Sequence, residues 1–192
     1  MNIKSYFIQS SKIIRGLSNF ESKIVKIGKL IKKKNKQKKN IFVFGNGGSS
    51  SDAEHFAGEL VCTYVKKNRK PYSIIPLTTH NAAITAWSND FKFDDFFKRS
   101  VQAYVKKDDL VIILSTSGGV IKGPGKSSNL VKAAIEAKKQ SAEIVSLTGK
   151  NGGALKNISD INININSYKT SFIQEAHMTI LHSICEILDL DN

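Results

Sequence analysis

The chain has 192 residues and carries 29 Lys and Arg against 16 Asp and Glu, which gives a net charge of +13. With 41% hydrophobic and 23% charged residues, it has the composition of a soluble globular protein with a core, and its length fits one domain. The composition excludes a collagen-like chain, no apolar run approaches the roughly 20 residues that span a bilayer, and two distant cysteines offer no disulfide framework.

The first segment, residues 1–37, is expected to be a helical arm. Two stretches of apolar residues at helical spacing are separated by a break near residues 16–19. Lys, Ser and Gln are mixed into the apolar residues, so the segment has no signal-peptide core, and we expect a cytoplasmic protein. Because one small domain cannot cover both apolar stripes, the arm also suggests an oligomer interface.

Seven lysines between positions 29 and 39 account for much of the positive charge. They could form a patch for a nucleic acid or a membrane surface, or they could be the solvated end of a helix. No aromatic residues are interleaved with them for base stacking, and no DNA-binding motif is recognisable. The run therefore favours neither a nucleic acid nor a membrane as a partner.

After the arm, short apolar runs alternate with segments of helical periodicity. They predict strands at 41–44, 72–77, 110–114, 143–147 and 161–165, and helices near 50–65, 80–88, 94–105, 127–141 and 168–190. Three of the strands are nearly continuous apolar runs, as in a buried parallel sheet, whereas the last alternates like an edge strand. We expect an α/β fold, a three-layer αβα sandwich with a five-stranded parallel sheet, as a single domain over residues 1–192.

Two loops at predicted strand ends have the composition of phosphate-binding loops. The first strand runs into Gly45-Asn46-Gly47-Gly48-Ser49, and the third ends in Ser115-Thr116-Ser117-Gly118. Glycines allow close backbone approach, and the free N–H groups at a helix start favour an anion. Since ligands of parallel sheets bind beyond the carboxyl ends of strands, we expect a phosphorylated ligand between the first and third strands. From the first loop alone, an ordinary strand-to-helix turn capped by Ser or Asp stays open.

Histidines and carboxylates at helical spacing are candidates for metal binding or acid–base chemistry. His55 and Glu59 lie four residues apart, on one face of the helix after the first loop. Such a pair can hold a divalent metal or can be an ordinary surface pair. In the last helix His182 lies beside the apolar stripe, where a core-edge histidine would look the same. By spacing alone, Glu175 is as good a partner for His182 as Gln174 is.

Taken together and in this order, the motifs resemble those of the phosphoheptose isomerases of the sugar isomerase (SIS) superfamily. The matching segments are Gly-Asn-Gly-Gly-Ser, Asp-Ala-x-His-Phe-Ala-x-Glu-Leu, Leu-Thr-Thr, Ser-Asn-Asp, Ser-Thr-Ser-Gly, Leu-Thr-Gly-Lys-x-Gly-Gly and Gln-Glu-x-His-x-x-x-x-His, between about residues 45 and 182. The resemblance implies interconversion of sedoheptulose 7-phosphate and D-glycero-D-manno-heptose 7-phosphate, towards the activated heptoses of lipopolysaccharide or capsule. It also implies a cytoplasmic homotetramer with the N-terminal helices in a central bundle and the sites at subunit interfaces.

The resemblance further implies the residues of the site. One zinc ion per subunit would be bound by His55, Glu59, Gln174 and His182, with Glu59 as the base and His182 as the acid of an enediol mechanism. The implied substrate contacts are Asn46, Gly47, Gly48, Ser49, Glu59, Asn89, Asp90, Ser115, Thr116, Ser117, Ser127 and Gln174. Gln174 and His182 lie eight positions apart, about 12 Å along a straight helix. We therefore expect an irregular helix near Gln174, or ligands from different subunits.

The sequence departs from the family pattern around these positions. Where the family usually has Ser-Gly-Arg-Tyr, this chain has Val61-Cys62-Thr63-Tyr64; His80 and Phe172 replace an aspartate and an arginine. Residues 119–125 are an insertion that could act as a lid. These changes put the identity of the substrate in question more than the chemistry. The alternatives are an isomerase of a related phosphosugar, or a non-catalytic SIS module that binds a sugar phosphate or a protein and does not need the four metal positions together.

Overall fold

The computed structural model describes residues 2–121, 123 and 126–190. Its α-helices are Ile3–Arg15 (α1), Glu21–Lys36 (α2), Gly48–Val61 (α3), Asn81–Asp90 (α4), Phe96–Tyr104 (α5), Ser128–Lys139 (α6), Leu155–Ile158 (α7) and Thr170–Leu190 (α8). Its strands are Ile41–Gly45 (β1), Ile74–Pro76 (β2), Leu110–Ser115 (β3), Glu143–Gly149 (β4) and Ile161–Ile165 (β5). Short 3-10 helices lie at Gly16–Phe20 and Phe93–Asp95.

The five strands form one parallel sheet in the order β2-β1-β3-β4-β5, which confirms the predicted α/β class. Strands β1 and β3 are neighbours, and Gly45 at the end of β1 pairs with Leu114 near the end of β3. The loops that follow these two strands therefore leave the sheet side by side. Strand β5 lies at an edge and alternates between buried and partly exposed residues, as its sequence predicts.

Helices cover both faces of the sheet. Along β1, Ile41 and Val43 belong to a core with α2, α3 and α8, while Phe42 and Phe44 belong to a second core with α5, α6 and α7. Side chains that alternate along a strand reach opposite faces, so β1, β3 and β4 contribute to both cores, whereas β5 contributes only to the first. The result is the three-layer arrangement expected from the sequence. None of the described helices combines the length and the apolar character that crossing a bilayer requires.

The N-terminal arm consists of α1 and α2, with the 3-10 helix at the predicted break. Helix α2 buries Ile24, Ile27 and Ile31, whereas α1 buries none of its residues completely. The two carboxylate oxygens of Glu175 on α8 accept hydrogen bonds from the hydroxyls of Tyr6 and Ser10 on α1. Glu175 thus holds the arm, and both of its carboxylate oxygens are engaged with α1.

The lysine run occupies the C-terminal end of α2 and the turn into β1. This position is typical of a solvated helix end, where positive charges complement the helix dipole. Lys34 differs, because its side chain is only 2% exposed. Its Nζ donates to the carbonyl oxygen of Asp108 and contacts Oε1 of Glu143, each at 2.6 Å. Lys34 therefore fixes the end of α2 to the amino ends of β3 and β4.

His177 attaches α8 to the sheet. Its side chain is fully buried, and Nε2 lies 3.2 Å from the carbonyl oxygen of Thr148 on β4. This contact places the proton on Nε2, while Nδ1 is buried with no hydrogen-bond partner among the described residues. Burial lowers the pKa of His177 to about 4, although the carbonyl acceptor acts in the opposite direction. The folded protein thus holds this histidine neutral.

Protonation of His177 is expected to destabilise the fold below neutral pH. The unfolded chain has a histidine pKa near 6.5, so between pH 6.5 and about 4 the unfolded state binds the extra proton. Stability that is present above pH 6.5 is lost as the pH falls through this window, by up to about 3 kcal/mol. In His177→Gln the side-chain amide can still donate to the carbonyl oxygen of Thr148. Urea unfolding at pH 7.0 and at pH 4.5 should show that this variant loses less free energy of unfolding between the two pH values than the wild type does.

The pH dependence of unfolding must be compared between the wild type and His177→Gln, because Asp52 changes the stability with pH in the direction opposite to His177. Burial raises the pKa of the Asp52 carboxyl to about 6, against the lowering effect of His55. The contribution of Asp52 therefore increases as the pH falls, and it cancels in the difference between the wild type and His177→Gln. Equal losses of stability in both proteins would contradict the role given to His177.

Candidate active site

The loop after β1 is built from glycines at places where a side chain would not fit. A Cβ on Gly45 would lie 2.7 Å from Cβ of Ser49 and 2.8 Å from the carbonyl oxygen of Leu114. Gly47 has a φ of +56°, in the left-handed region that favours glycine. The chain can therefore turn sharply from β1 into α3, with Ser49 buried behind the turn. This turn brings the positive end of the α3 dipole to the carboxyl edge of the sheet, where an anion is favoured.

The loop after β3 brings its hydroxyl groups to the start of α6. Ser115 Oγ accepts a hydrogen bond of 3.1 Å from the Gly118 amide, and Ser117 Oγ donates to Ser127 Oγ at 3.3 Å. Ser127 has a φ of +62° and directly precedes α6. The structure thus brings together Ser117 and Ser127, which the sequence could only assign to one site by resemblance.

An amide pair joins these two loops. Asn46 and Asn129 exchange two hydrogen bonds of 2.9 Å, one in each direction. The pair holds the start of α6 against the loop after β1, so two helix N-termini and several hydroxyls border one stretch of the sheet edge. Asn129 is not among the predicted site residues; the available signal was its position in the Ser-Ser-Asn segment that opens a predicted helix.

Two histidines and a carboxylate meet where α3 faces α8. His55 Nε2 lies 3.1 Å from His182 Nε2 and 3.4 Å from Glu59 Oε1. The ring of Tyr64 stacks on His182 with the centroids 5.8 Å apart. Burial raises the pKa of Tyr64, as does the nearby carboxylate of Glu186, so its phenol stays neutral. The side chains of His55 and Glu59 are partly exposed, which leaves the cluster accessible to a ligand.

Two distances in this cluster are close to those between ligands of one zinc ion. Two ligands of a tetrahedral zinc with bonds of 2.0–2.2 Å lie about 3.4 Å apart, close to the 3.1 and 3.4 Å observed around His55 Nε2. Imidazole nitrogen and carboxylate oxygen are also donors that zinc prefers. Over the described ranges, however, no group of three or more His, Cys, Asp or Glu is arranged as a complete metal centre. The structure therefore contains two pairs of potential zinc ligands at suitable distances, His55 with His182 and His55 with Glu59.

Gln174 lies against the start of α3. A Cβ on Gly48 would be 2.2 Å from Nε2 of Gln174, so the amide of Gln174 packs directly on this glycine. Helix α8, which carries both Gln174 and His182, runs without interruption from Thr170 to Leu190. The expected irregularity near Gln174 is therefore wrong, and the other expectation, ligands from different subunits, stays a prediction.

Gly48→Ala is expected to raise KM for the sugar phosphate that the resemblance implies on the order of tenfold, the cost of one misplaced hydrogen-bonding group. The added methyl group needs the space of the Gln174 amide, which is flexible and moves at little cost in stability. Steady-state kinetics and thermal unfolding measure the two effects. Gly58→Ala is the matched control, because a Cβ at Gly58 in the same helix meets nothing within 4 Å. Equal KM values for the two variants would contradict the placement of Gln174.

Asn89 and Asp90 lie away from this cluster in the single chain. They end α4, their side chains are exposed, and Asn89 Nδ2 donates to Asp90 Oδ1 at 2.8 Å. Helix α4 packs against α5 on the other face of the sheet from α3 and α8. The implied substrate contact of these two residues, at a subunit interface, stays a prediction.

The structure shows the role of one departure from the family pattern, Phe172, but not that of the insertion at residues 119–125. Phe172 packs its ring on Tyr6 with the centroids 4.9 Å apart, so this position serves the contact between α8 and the arm. The insertion at residues 119–125 includes Lys122, Pro124 and Gly125, which lie outside the described residues. Its predicted action as a lid stays a prediction.

Comparisons of the sequence and the structure with known proteins agree on one family. The family model described as "SIS domain" matches residues 5–149. The chain is 38% identical to a probable phosphoheptose isomerase of Thermoplasma acidophilum, over 98% of each chain. It is also 38% identical to phosphoheptose isomerase 1 of Campylobacter jejuni, over 95% of this chain and 90% of that one. A solved phosphoheptose isomerase from Francisella tularensis superposes with a TM-score of 0.89 at 32% identity, covering 98% of this chain and 96% of that one. The chain therefore belongs to the SIS domain family and, within it, to the phosphoheptose isomerase family of enzymes.

Proposed function

We propose that the protein interconverts sedoheptulose 7-phosphate and D-glycero-D-manno-heptose 7-phosphate. The observation that carries the proposal is that one helix, α3, connects a site that favours a phosphate with a cluster of acid–base side chains. Its N-terminus opens at the glycine loop beside the serines, where a phosphate is favoured. Its following turns carry His55 and Glu59, and Nε2 of His55 lies 3.1 Å from Nε2 of His182. A sugar-phosphate isomerase needs an anchor for the phosphate and acid–base groups for the reacting carbons, and the names of the relatives agree with this reaction.

The reaction moves a proton between C1 and C2 of the sugar through an enediol, which requires a base and an acid. Glu59 takes the proton from one carbon and returns it to the other, and its contact with His55 at 3.4 Å orients the carboxylate. His182 donates a proton to the carbonyl oxygen as the enediol forms and recovers one from the neighbouring hydroxyl as that hydroxyl becomes the new carbonyl. The stacked ring of Tyr64 holds its imidazole in place. Ser117, Ser127 and the starts of α3 and α6 bind the phosphate group at the other end of the substrate.

One zinc ion per subunit would be held by His55, Glu59, Gln174 and His182. When bound, zinc supplies Lewis-acid polarisation of the sugar oxygens. The same residues then have two tasks, since Glu59 and His182 would each serve in proton transfer and in ligation. An imidazole that holds a metal has little freedom to move a proton, so the two tasks of His182 compete and must be separated by experiment.

We further propose a cytoplasmic homotetramer built from single-domain subunits, whose product serves the synthesis of activated heptoses for lipopolysaccharide or capsule. What supports the assembly is α1, which leaves Ile3 and Phe7 exposed by 73% and 65%. What supports the single domain is α2, which packs into the same core as the sheet. In such a tetramer Asn89 and Asp90 would reach the site of a neighbouring subunit.

A related phosphosugar is the second candidate substrate. It is favoured by Thr63 and Phe172, at two positions where the family pattern has arginine. Phe172 is occupied with Tyr6 and cannot replace a lost cation. A change of substrate would therefore alter the contacts around the sugar while keeping the acid–base cluster. A non-catalytic binding module is disfavoured, because it would not need His55, Glu59 and His182 in contact.

The test is proton NMR of the zinc-loaded protein with sedoheptulose 7-phosphate in D2O. We expect an aldoheptose phosphate with deuterium at C2, since the enediol exchanges its proton with solvent. Conversion of another ketose phosphate, but not of this one, would select the second candidate. No conversion across a panel of ketose phosphates would leave the non-catalytic module.

A further inference from the structure

A buried ion pair joins α3 to α8 below the histidine cluster. Arg69 lies in the segment that follows α3, and Asp189 lies in the last turn of α8. Nε of Arg69 is 2.7 Å from Oδ1 of Asp189, and the two side chains are 0% and 6% exposed. An uncompensated charge at this depth is costly, so each group strongly determines the position of the other.

Arg69 holds the end of α3 at the level of the cluster. Its Nη2 donates to the carbonyl oxygen of Glu59 at 2.5 Å, and its Nη1 donates to that of Leu60 at 3.1 Å. These carbonyls belong to the last turn of the helix, where partners within the helix are missing. The guanidinium also packs on the ring of Tyr72, 5.1 Å from its centroid. Arg69 therefore fixes the backbone of Glu59 itself.

Asp189 holds the chain that follows α3. Its Oδ2 accepts hydrogen bonds from the amides of Val65 and Lys66 at 2.8 and 2.7 Å. Burial alone would raise the pKa of Asp189, but these amides and Arg69 outweigh it and hold the pKa below its usual value, so the group is ionised. Val65 directly follows Tyr64, whose ring stacks on His182. Asp189 thereby fixes the residue that packs on His182.

We propose that Arg69 and Asp189 are positioning residues that set the spacing of His55, Glu59 and His182 between α3 and α8. The inference rests on the proposed function, because it takes these three side chains to share one ion. Arg69 acts through the backbone of Glu59, and Asp189 acts through Tyr64. Metal donors must keep their distances to within about 0.2 Å, so a small shift of one helix against the other is enough to weaken binding.

The test requires variants that still fold. Removal of one partner leaves a buried charge, whereas replacement of both partners by apolar residues of similar volume is often tolerated. The double variant Arg69→Met with Asp189→Leu therefore removes the tie between the helices. Arg69→Lys keeps a charge for Asp189 but loses the planar fork that reaches several carbonyls. The matched control is Lys34→Met with Glu143→Leu, an ion pair at the amino ends of the strands, away from the cluster.

Two measurements are made on each protein after circular dichroism confirms its fold. Competition titration gives the zinc affinity, and NMR of 15N-labelled histidine in the metal-free protein gives the ring resonances of His182. We expect zinc binding on the order of tenfold weaker in the Arg69/Asp189 double variant, as for other groups that orient metal ligands. Arg69→Lys should fall between this variant and the wild type. The His182 resonance should shift with the loss of Tyr64 stacking, and the control should match the wild type in both measurements.

The outcomes separate this inference from the proposed function. Wild-type zinc affinity and an unchanged His182 resonance in the Arg69/Asp189 double variant would overturn the positioning role. A wild-type protein that binds no zinc would overturn the metal assignment instead, and the His182 resonance would still decide the positioning role. Should the double variant fail to fold, Arg69→Lys carries both measurements, and wild-type values for it would also overturn the inference.

Discussion

Glu59→Gln is expected to lower kcat about a thousandfold, within the range of a general base. An amide has nearly the size of the carboxylate but cannot accept a proton from carbon, so the enediol no longer forms. Glu59 is partly exposed, and the substitution removes no buried charge, so thermal unfolding should be unchanged. The measurement is kcat at saturating zinc, together with the rate at which deuterium from D2O enters the substrate.

The matched control for this substitution is Glu54→Gln. Glu54 lies on the same helix, with its side chain exposed and 3.5 Å from the hydroxyl of Ser50. It should keep the kcat and the deuterium incorporation of the wild type. Turnover of Glu59→Gln within a few-fold of the control would remove Glu59 from the role of base.

His182→Ala is expected to lower kcat by a similar factor and to weaken zinc binding, on the order of 10- to 100-fold as for a disturbed metal site. The substitution removes the ring between His55 and Tyr64 and thus one donor and one proton source. Measurement of kcat over a series of zinc concentrations separates the two tasks. If excess zinc restores turnover, ligation is the main task; if turnover stays low at saturation, His182 is the acid.

His177→Gln is the control, since His177 lies on the same helix but is buried against Thr148. At pH 7 it should show wild-type turnover and wild-type zinc affinity. Wild-type turnover of His182→Ala itself would show that the reaction needs neither its proton nor its ligation.

The sheet could be predicted because its strands are apolar runs bounded by polar turns. Continuous runs identified β1, β3 and β4, and strict alternation identified β5 as an edge. Helix α7 was not predicted, because its four residues are too few to show a period. Helix α3 begins at Gly48, two residues before the predicted start near residue 50. Glycine has a low helix propensity, so the sequence assigns Gly48 to the loop and not to the helix.

The candidate site could be predicted only as far as neighbours along the chain define it. Helical spacing brought His55 and Glu59 together, and composition identified the two loops. The pairs Asn46–Asn129 and Arg69–Asp189 join segments that are distant in sequence, so no period or motif reveals them. A helical wheel leaves Gln174 and Glu175 equal as partners of His182, and the contact of the Glu175 carboxylate with the arm, across at least 165 residues of sequence, is not visible in it.

The attachment of α1 to Glu175 has a consequence for activity in dilute solution. Helix α1 buries no residue completely within one chain, so its place on α8 depends on partly exposed contacts such as those of Tyr6 and Ser10 with Glu175. In α8, Glu175 lies between Gln174, which packs on the glycine loop, and residues that belong to the core. If the proposed tetramer packs α1 against neighbouring subunits, its separation on dilution would free α1, and the first turns of α8 would lose the clamp beside Gln174. Specific activity would then fall with protein concentration, and each subunit would become fully competent only within the assembly.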